Sequence, residues 1–228
     1  MVSAVSAELK IISPQVNRRS HNFIPLSSLV FIFAIILSGC ALNGFSQGSG
    51  DIGLSAQERV QLGAIYERKG LNDLALREYE AASEMGLAFG VFAAANILYK
   101  EQKYDEAING YLEAIEKDPD NPAYYNNLAW AYMEKGAFEK ALVEAEQALK
   151  RATQDRHMYL DTAAVALLRL GDIDGAERYL DEALSVAPVE NIAGLAEIYR
   201  HRIELYSIKG DDLKVSRAQE KLKALNNK

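Results

Sequence analysis

Three histidines and a single cysteine are the side chains of this 228-residue chain suited to metal, redox or proton-transfer chemistry near neutral pH. His201 and Glu204 stand at i, i+3, so on a helix they would share a face and offer two metal ligands. A zinc site needs at least a third protein ligand, and none is apparent here, so an ordinary surface pair is expected. His157 falls at an expected helix start, as a solvated neighbour of the cap. His21 lies beside Arg18 and Arg19 near the N-terminus. Cys40 has no second cysteine to pair with, which excludes an intramolecular disulfide. No serine or aspartate sits in the strand–turn–helix context of a nucleophile elbow. The spacing Gly48-x-Gly50-x-x-Gly53 matches a dinucleotide fingerprint in letters alone, because no strand precedes it and no βαβ unit surrounds it. Asp118, Asp120, Asp211 and Asp212 lack the terminal glutamate of a calcium loop. They are expected beside helix starts, where acids meet the positive end of the helix dipole. The chain is therefore expected to be no enzyme, and to use no cofactor and no metal.

The elements that carry these residues are expected to be helical. Apolar residues make up 49% and charged residues 25%, with only 5 prolines, the balance of a folded helical protein. Residues 1–40 hold three of the 25 Lys/Arg and one of the 32 Asp/Glu, leaving 22 bases, 31 acids and a net charge of −9 beyond them. Such a surface repels phosphate backbones, and no basic stripe relieves it, so nucleic acid is not an expected partner.

The N-terminus reads as an address. Leu29 to Leu37 (LVFIFAIIL) are nine consecutive apolar residues, preceded by Arg18-Arg19 and followed by Ser38-Gly39-Cys40, the basic, apolar, small-residue order of a secretory signal. The tetrad Leu37-Ser38-Gly39-Cys40 resembles the bacterial lipobox. That resemblance implies cleavage before Cys40, lipidation of its thiol with several acyl chains, and stable attachment to a membrane. Ala41, being no aspartate, implies onward transport to the outer membrane, facing the periplasm. The competing reading is a retained membrane helix over Phe23–Leu42, a 20-residue stretch without charge that Pro25 and Ser27-Ser28 interrupt. The expected organisation is a signal peptide at 1–39, a lipidated Cys40 with a Gly/Ser-rich tether to 54, and a folded domain over 55–225. Fourteen tether residues (41–54) reach about 20 Å.

From Ser55 onward the chain repeats. Ala75, Ala107, Ala141 and Ala176 are spaced 32, 34 and 35 residues apart, and Ala82, Ala114, Ala148 and Ala183 follow each by seven. Gly70, Gly136 and Gly171 precede the first series by five. Small residues allow two helices to approach, and glycine permits the turn between them. Tyr104, Ala107, Tyr111, Ala114 and Pro119 resemble the tetratricopeptide repeat, as do Leu128, Tyr132, Gly136, Phe138, Ala141 and Ala148. The resemblance implies an all-α, right-handed solenoid of about five helical hairpins. They are expected at about 56–87, 88–121, 122–156 and 157–190, with a degenerate fifth at 191–225. Repeat two carries Gln102 where the turn glycine is expected, and Val215 replaces the second-helix alanine of the fifth hairpin. Ser55-x-x-Glu58 spells a capping box, and Asn121-Pro122 a cap followed by proline.

In this family the first helix of each pair faces a concave groove. Carried over by position, the resemblance implies a partner-binding groove formed by Asn96, Tyr99 and Lys100, by Asn126, Asn127, Trp130, Met133 and Glu134, and by Asp161, Val165 and Arg169. Aromatic side chains among amides are a common composition for a binding hot spot, although Trp130 could instead fill space between first helices. Asn96 and Asn127 also occupy the asparagine positions of chaperone-binding members that hold a C-terminal carboxylate. The basic positions of that clamp hold Phe92, Met158 and Thr162, so a free carboxylate would find no cation. The implied partner is an extended or helical peptide of an envelope protein with an apolar anchor. A self-associated homodimer and a groove for glycan or small ligand are the alternatives.

Overall fold

The computed structural model describes residues 53–227, and among them are ten α-helices and no strand. Cys40, the expected signal segment and nearly all of the expected tether lie outside the described residues. No helix among the described residues is long and apolar enough to cross a membrane.

The helices pair in order. The first hairpin is α1 (Ala56–Arg68) with α2 (Asn72–Glu84), and the second is α3 (Ala88–Lys100) with α4 (Tyr104–Lys117). The third is α5 (Pro122–Glu134) with α6 (Phe138–Arg151), and the fourth α7 (Arg156–Leu170) with α8 (Ile173–Val186). The last is α9 (Ile192–Lys209) with α10 (Asp212–Asn226). Each helix packs on the next, and each first helix also meets the first helix of the following hairpin. Second helices of adjacent hairpins stand further apart and are bridged by long side chains, Lys117 to the Ser83 carbonyl and Lys214 to Glu177. The stack therefore closes toward its first-helix side, which makes that side the concave one. This is the tetratricopeptide-type solenoid expected from the repeats.

The small residues do what their spacing implies. Ala75, Ala107, Ala141 and Ala176 are 0% exposed, as are Ala82, Ala114, Ala148 and Ala183, so both alanine series lie where second helices meet their neighbours. In the fifth hairpin Val215 is half-buried, and Ala218, three residues on, supplies the buried small side chain of α10. The tightest joint is at Gly90, where a Cβ would lie 2.5 Å from the Tyr79 carbonyl oxygen and 2.7 Å from the Ser83 nitrogen, letting α3 rest on the backbone of α2.

Caps and turns fix the ends. The Ser55 hydroxyl accepts from the Glu58 amide at 3.3 Å, and the Ser55 amide donates to the Glu58 carboxylate at 2.8 Å. Asn121, Asp172, Asn191 and Asp211 each accept a backbone N–H of the first turn they precede. Four first-to-second-helix turns use a glycine with positive φ, and the turn of the second hairpin uses Gln102 at φ +62°. Asp118 departs from expectation: it ends α4 and does not begin α5. The loop it opens is clamped from α6, where Arg151 lies 4.2 Å over the Tyr125 ring and donates to the Pro119 carbonyl at 2.7 Å.

Candidate functional site

The concave side is built from α3, α5, α7 and α9, and its polar side chains bridge adjacent first helices. Between α3 and α5 the bridges are amides. The Tyr111 hydroxyl (2.8 Å) and the Asn127 side-chain N–H (2.7 Å) both donate to Asn96 Oδ1, and Asn126 donates to Asn127 Oδ1 at 3.5 Å. That chain of donors ends on the buried Oδ1 of Asn126, which has no hydrogen-bond partner. Tyr99 adds a contact to Glu134 at 3.4 Å. Burial first, and the Glu134 carboxylate second, hold the Tyr99 phenol far above its ordinary pKa, so it remains a neutral donor. The fully buried Tyr111 phenol is raised as well, chiefly by burial.

Of the residues expected to line the groove, Tyr99, Asn126, Asn127, Met133 and Asp161 are buried and form its floor. Asn96 is half-buried beside them. Trp130 does both things considered for it: its ring packs against the core clusters on either side of α5, yet it stays partly exposed. Lys100 and Arg169 are on the rim, where Lys100 pairs with Glu67 at 2.6 Å and Arg169 pairs with Glu204. Between α5 and α7 the seam is apolar, closed by Ala129, Met133, Ala163, Val165 and Ala166. Asp161 and Arg169 thus belong to a second set of bridges, between α7 and α9, separate from the asparagine network.

Both remaining histidines correct the sequence reading. His157 is no solvated cap neighbour: it is 1% exposed, with Nε2 at 2.7 Å from the Asn191 amide nitrogen. His201 is no surface partner of Glu204. Its side chain is 12% exposed and its Nδ1 lies 2.8 Å from Asp161 Oδ1, while Glu204 turns to Arg169. Among the described residues no cluster of three metal-ligating side chains occurs.

These cross-helix partners share a signal that motif reading misses. Lys100 and Glu67 are 33 residues apart, Asn127 and Asn96 31, Tyr99 and Glu134 35, His157 and Asn191 34, and Arg169 and Glu204 35. Each separation is about one repeat, because equivalent positions of adjacent hairpins face each other. Scanning for complementary polar types one repeat apart would have found them.

Comparison with known proteins agrees with this architecture. Residues 95–136 match a family model described as TPR repeat, and residues 122–155 and 159–190 match one described as tetratricopeptide repeat. The chain is 35% identical over 101 residues to the TPR repeat-containing thioredoxin TTL4 of Arabidopsis thaliana, covering 44% of this chain and 15% of that protein. It is 49% identical over 57 residues to the DnaJ homolog subfamily C member 7 homolog of Schizosaccharomyces pombe, covering 24% of this chain and 12% of that one. The chain thus spans only a small fraction of these relatives. Among solved structures, PilW, a type IV pilus biogenesis factor, superposes with TM-score 0.68 at 16% identity over 76% of this chain and 78% of its own. PilF of Pseudomonas aeruginosa gives 0.60 at 21% identity over 75% and 76%. At such identities the likeness is one of fold.

Proposed function

We propose that the chain is a membrane-tethered tetratricopeptide scaffold of the bacterial envelope that holds a peptide or helix of a partner protein in its concave groove. The observation that carries this reading is the asparagine network ending on an unpartnered Asn126 carbonyl, beside the partly exposed Trp130. A peptide supplies both a backbone donor and an apolar anchor, which this arrangement lacks. The lipobox-like tetrad at Cys40 supports the tether, and the fold the chain shares with PilW, a type IV pilus biogenesis factor, supports an assembly role in the envelope.

The test is photo-crosslinking in cells from Lys100 and Arg169, on the groove rim, and from Val143, exposed on second helix α6. A defined envelope protein trapped from the first two positions, and lost in Trp130→Ala, supports the reading. Equal trapping from Val143, or no loss in Trp130→Ala, removes the groove as the working surface. A second reading, self-association, rests on Ile208 and Leu213, 55% and 62% exposed on the fifth hairpin. A mass in light scattering that stays monomeric at high concentration excludes it.

A further inference from the structure

Where the fifth hairpin docks on α7, beside the apolar contacts of Ile198, Leu205 and Tyr206, two histidines lie in a single seam. On α7, His157 lies one turn before Asp161; on the other side, Asn191 caps α9 and His201 lies further along it. The two contacts favour opposite protonation states: the first excludes a proton on Nε2, while the second, which a neutral ring also makes through Nδ1–H, is strengthened when the ring is an imidazolium. The Asn191 Oδ1 accepts the Gly194 amide at 3.0 Å, so the atom facing His157 is the Asn191 NH2, and His157 Nε2 must accept. A proton on Nε2 would set donor against donor. Turning the Asn191 amide to suit it would surrender the N-cap of α9, and the space is closed, since a Cβ on Gly194 would lie 3.0 Å from His157 Nε2. His201 faces the reverse demand. Its Nδ1 donates to Asp161 at 2.8 Å in a nearly closed site, with Glu197 and Glu204 nearby on its own helix and a buried Glu197 oxygen lacking a partner. There a positive imidazolium is what the surrounding carboxylates call for.

We propose that the α7–α9 seam is a two-histidine latch, held most tightly while His157 is neutral and His201 is protonated. The other charges at this seam are already paired. Arg169 of α7 holds Glu204, Arg200 holds Glu197, Asp181 of α8 holds Arg202, and Asp174 and Glu177 of α8 hold Lys209 and, for Glu177, Lys214 of α10. Asp155, beside the start of α7, acts on His157 at longer range. Burial holds His157 below the ordinary histidine value against the pull of Asp155 and Asp161. For His201 burial acts in the same downward direction, but Asp161, Glu197 and Glu204 outweigh it and leave the ring above that value. The signs follow by linkage. The His157 contribution is present above the unfolded value and lost as pH falls toward its lowered folded value. The His201 contribution is present below the unfolded value and lost as pH rises through its raised one. Docking of α9 and α10 is therefore strongest in a band of pH between the two, whether or not the groove holds a peptide.

Amide hydrogen exchange of the full-length chain between pH 4.5 and 8.5, corrected for intrinsic rates, tests this with α1 to α4 as the internal reference. Protection of α9 and α10 relative to that reference is expected to pass through a maximum, falling about tenfold per unit by which the limiting histidine is displaced. His201→Gln removes the alkaline arm only, and His157→Gln the acid arm only. Histidine ring NMR titration of the unsubstituted protein gives the answer even where a variant fails to fold. His157 titrating below and His201 above the free-histidine value supports the latch. Titration of both at the ordinary value, the reverse order, or protection that parallels α1–α4 at every pH overturns it.

Discussion

The seam between α3 and α5 and the seam between α7 and α9 occupy equivalent places in the stack, yet they are closed by different chemistry. The first is centred on neutral groups, Asn96, Asn126, Asn127 and the Tyr111 hydroxyl, with donors and acceptors matched except at Asn126, and has one carboxylate, Glu134, at its edge beside Tyr99. The second uses ionisable ones, Asp161 with His201 and Arg169 with Glu204. An amide network is fixed by geometry and indifferent to pH, whereas an ionic seam draws its strength from a proton. One fold thus carries a rigid stretch and a tunable one side by side, with the apolar α5–α7 seam between them.

The largest expected effect breaks the neutral seam. Asn96→Ala leaves the Tyr111 hydroxyl and the Asn127 amide without their shared acceptor, at a cost of about 3 kcal/mol. Denaturant melts at pH 5, 6.5 and 8 are expected to show the same loss at each. A loss that changes by half or more across this range would mean the network is coupled to the titrating seam. Next comes Asp161→Asn, which removes the charge opposite His201 for about 2 kcal/mol. This loss is greatest below the unfolded histidine value, where the pair is fully formed, and shrinks as pH rises through the raised folded value of His201. The same melts decide it, and a pH-independent loss would make the contact an ordinary hydrogen bond.

How much of this the sequence disclosed depends on the range of the interaction. The hairpins were legible because their alanines and glycines act within one repeat, through packing and turn geometry. The five turns show it: Gly70, Gly136 and Gly171 take positive φ as their spacing implies, Gly210 does the same in the fifth hairpin, and Gln102 adopts the same conformation because the repeat, not its own side chain, dictates it. The side chains expected in the groove do lie on first helices, but their burial was not legible, since it depends on how closely neighbouring hairpins approach. The histidines were misread for the same reason. Nothing within a turn of His157 or His201 hints at Asn191 or Asp161, which lie 34 and 40 residues away. Asp118 failed differently: its loop is held from a distance by Arg151, so its neighbours in sequence gave no sign that it closes a helix.

Smaller effects sharpen the contrast between backbone dictated by the repeat and side chains chosen at each seam. Gln102 holds φ +62°, a conformation that costs an L-residue about 1 kcal/mol or more and glycine little. Gln102→Gly therefore gains about 0.5 kcal/mol once the extra freedom of glycine in the unfolded chain is deducted. A rise in denaturation midpoint with unchanged slope is the expected result, and a fall would show that the side chain stabilises the turn.

Arg169→Ala has the smallest expected effect on stability and therefore separates folding from function most cleanly. Both partners of the Arg169–Glu204 pair keep 37% of their side-chain surface exposed, so solvent and salt screen the attraction. Its removal is expected to cost about 0.5 kcal/mol or less, and still less at high ionic strength. Unlike Asp161, it does not touch a histidine, but its removal frees the charge of Glu204 beside His201, so the alkaline arm of α9 and α10 exchange moves to higher pH while the acid arm keeps its place. What the substitution does change is the rim of the concave face, where a guanidinium is replaced by a methyl group and Glu204 is left facing solvent. If a partner peptide lies along this side, its affinity falls in Arg169→Ala while the melting curve hardly moves. Unchanged affinity would confine the partner to the neutral stretch around Asn126 and Trp130.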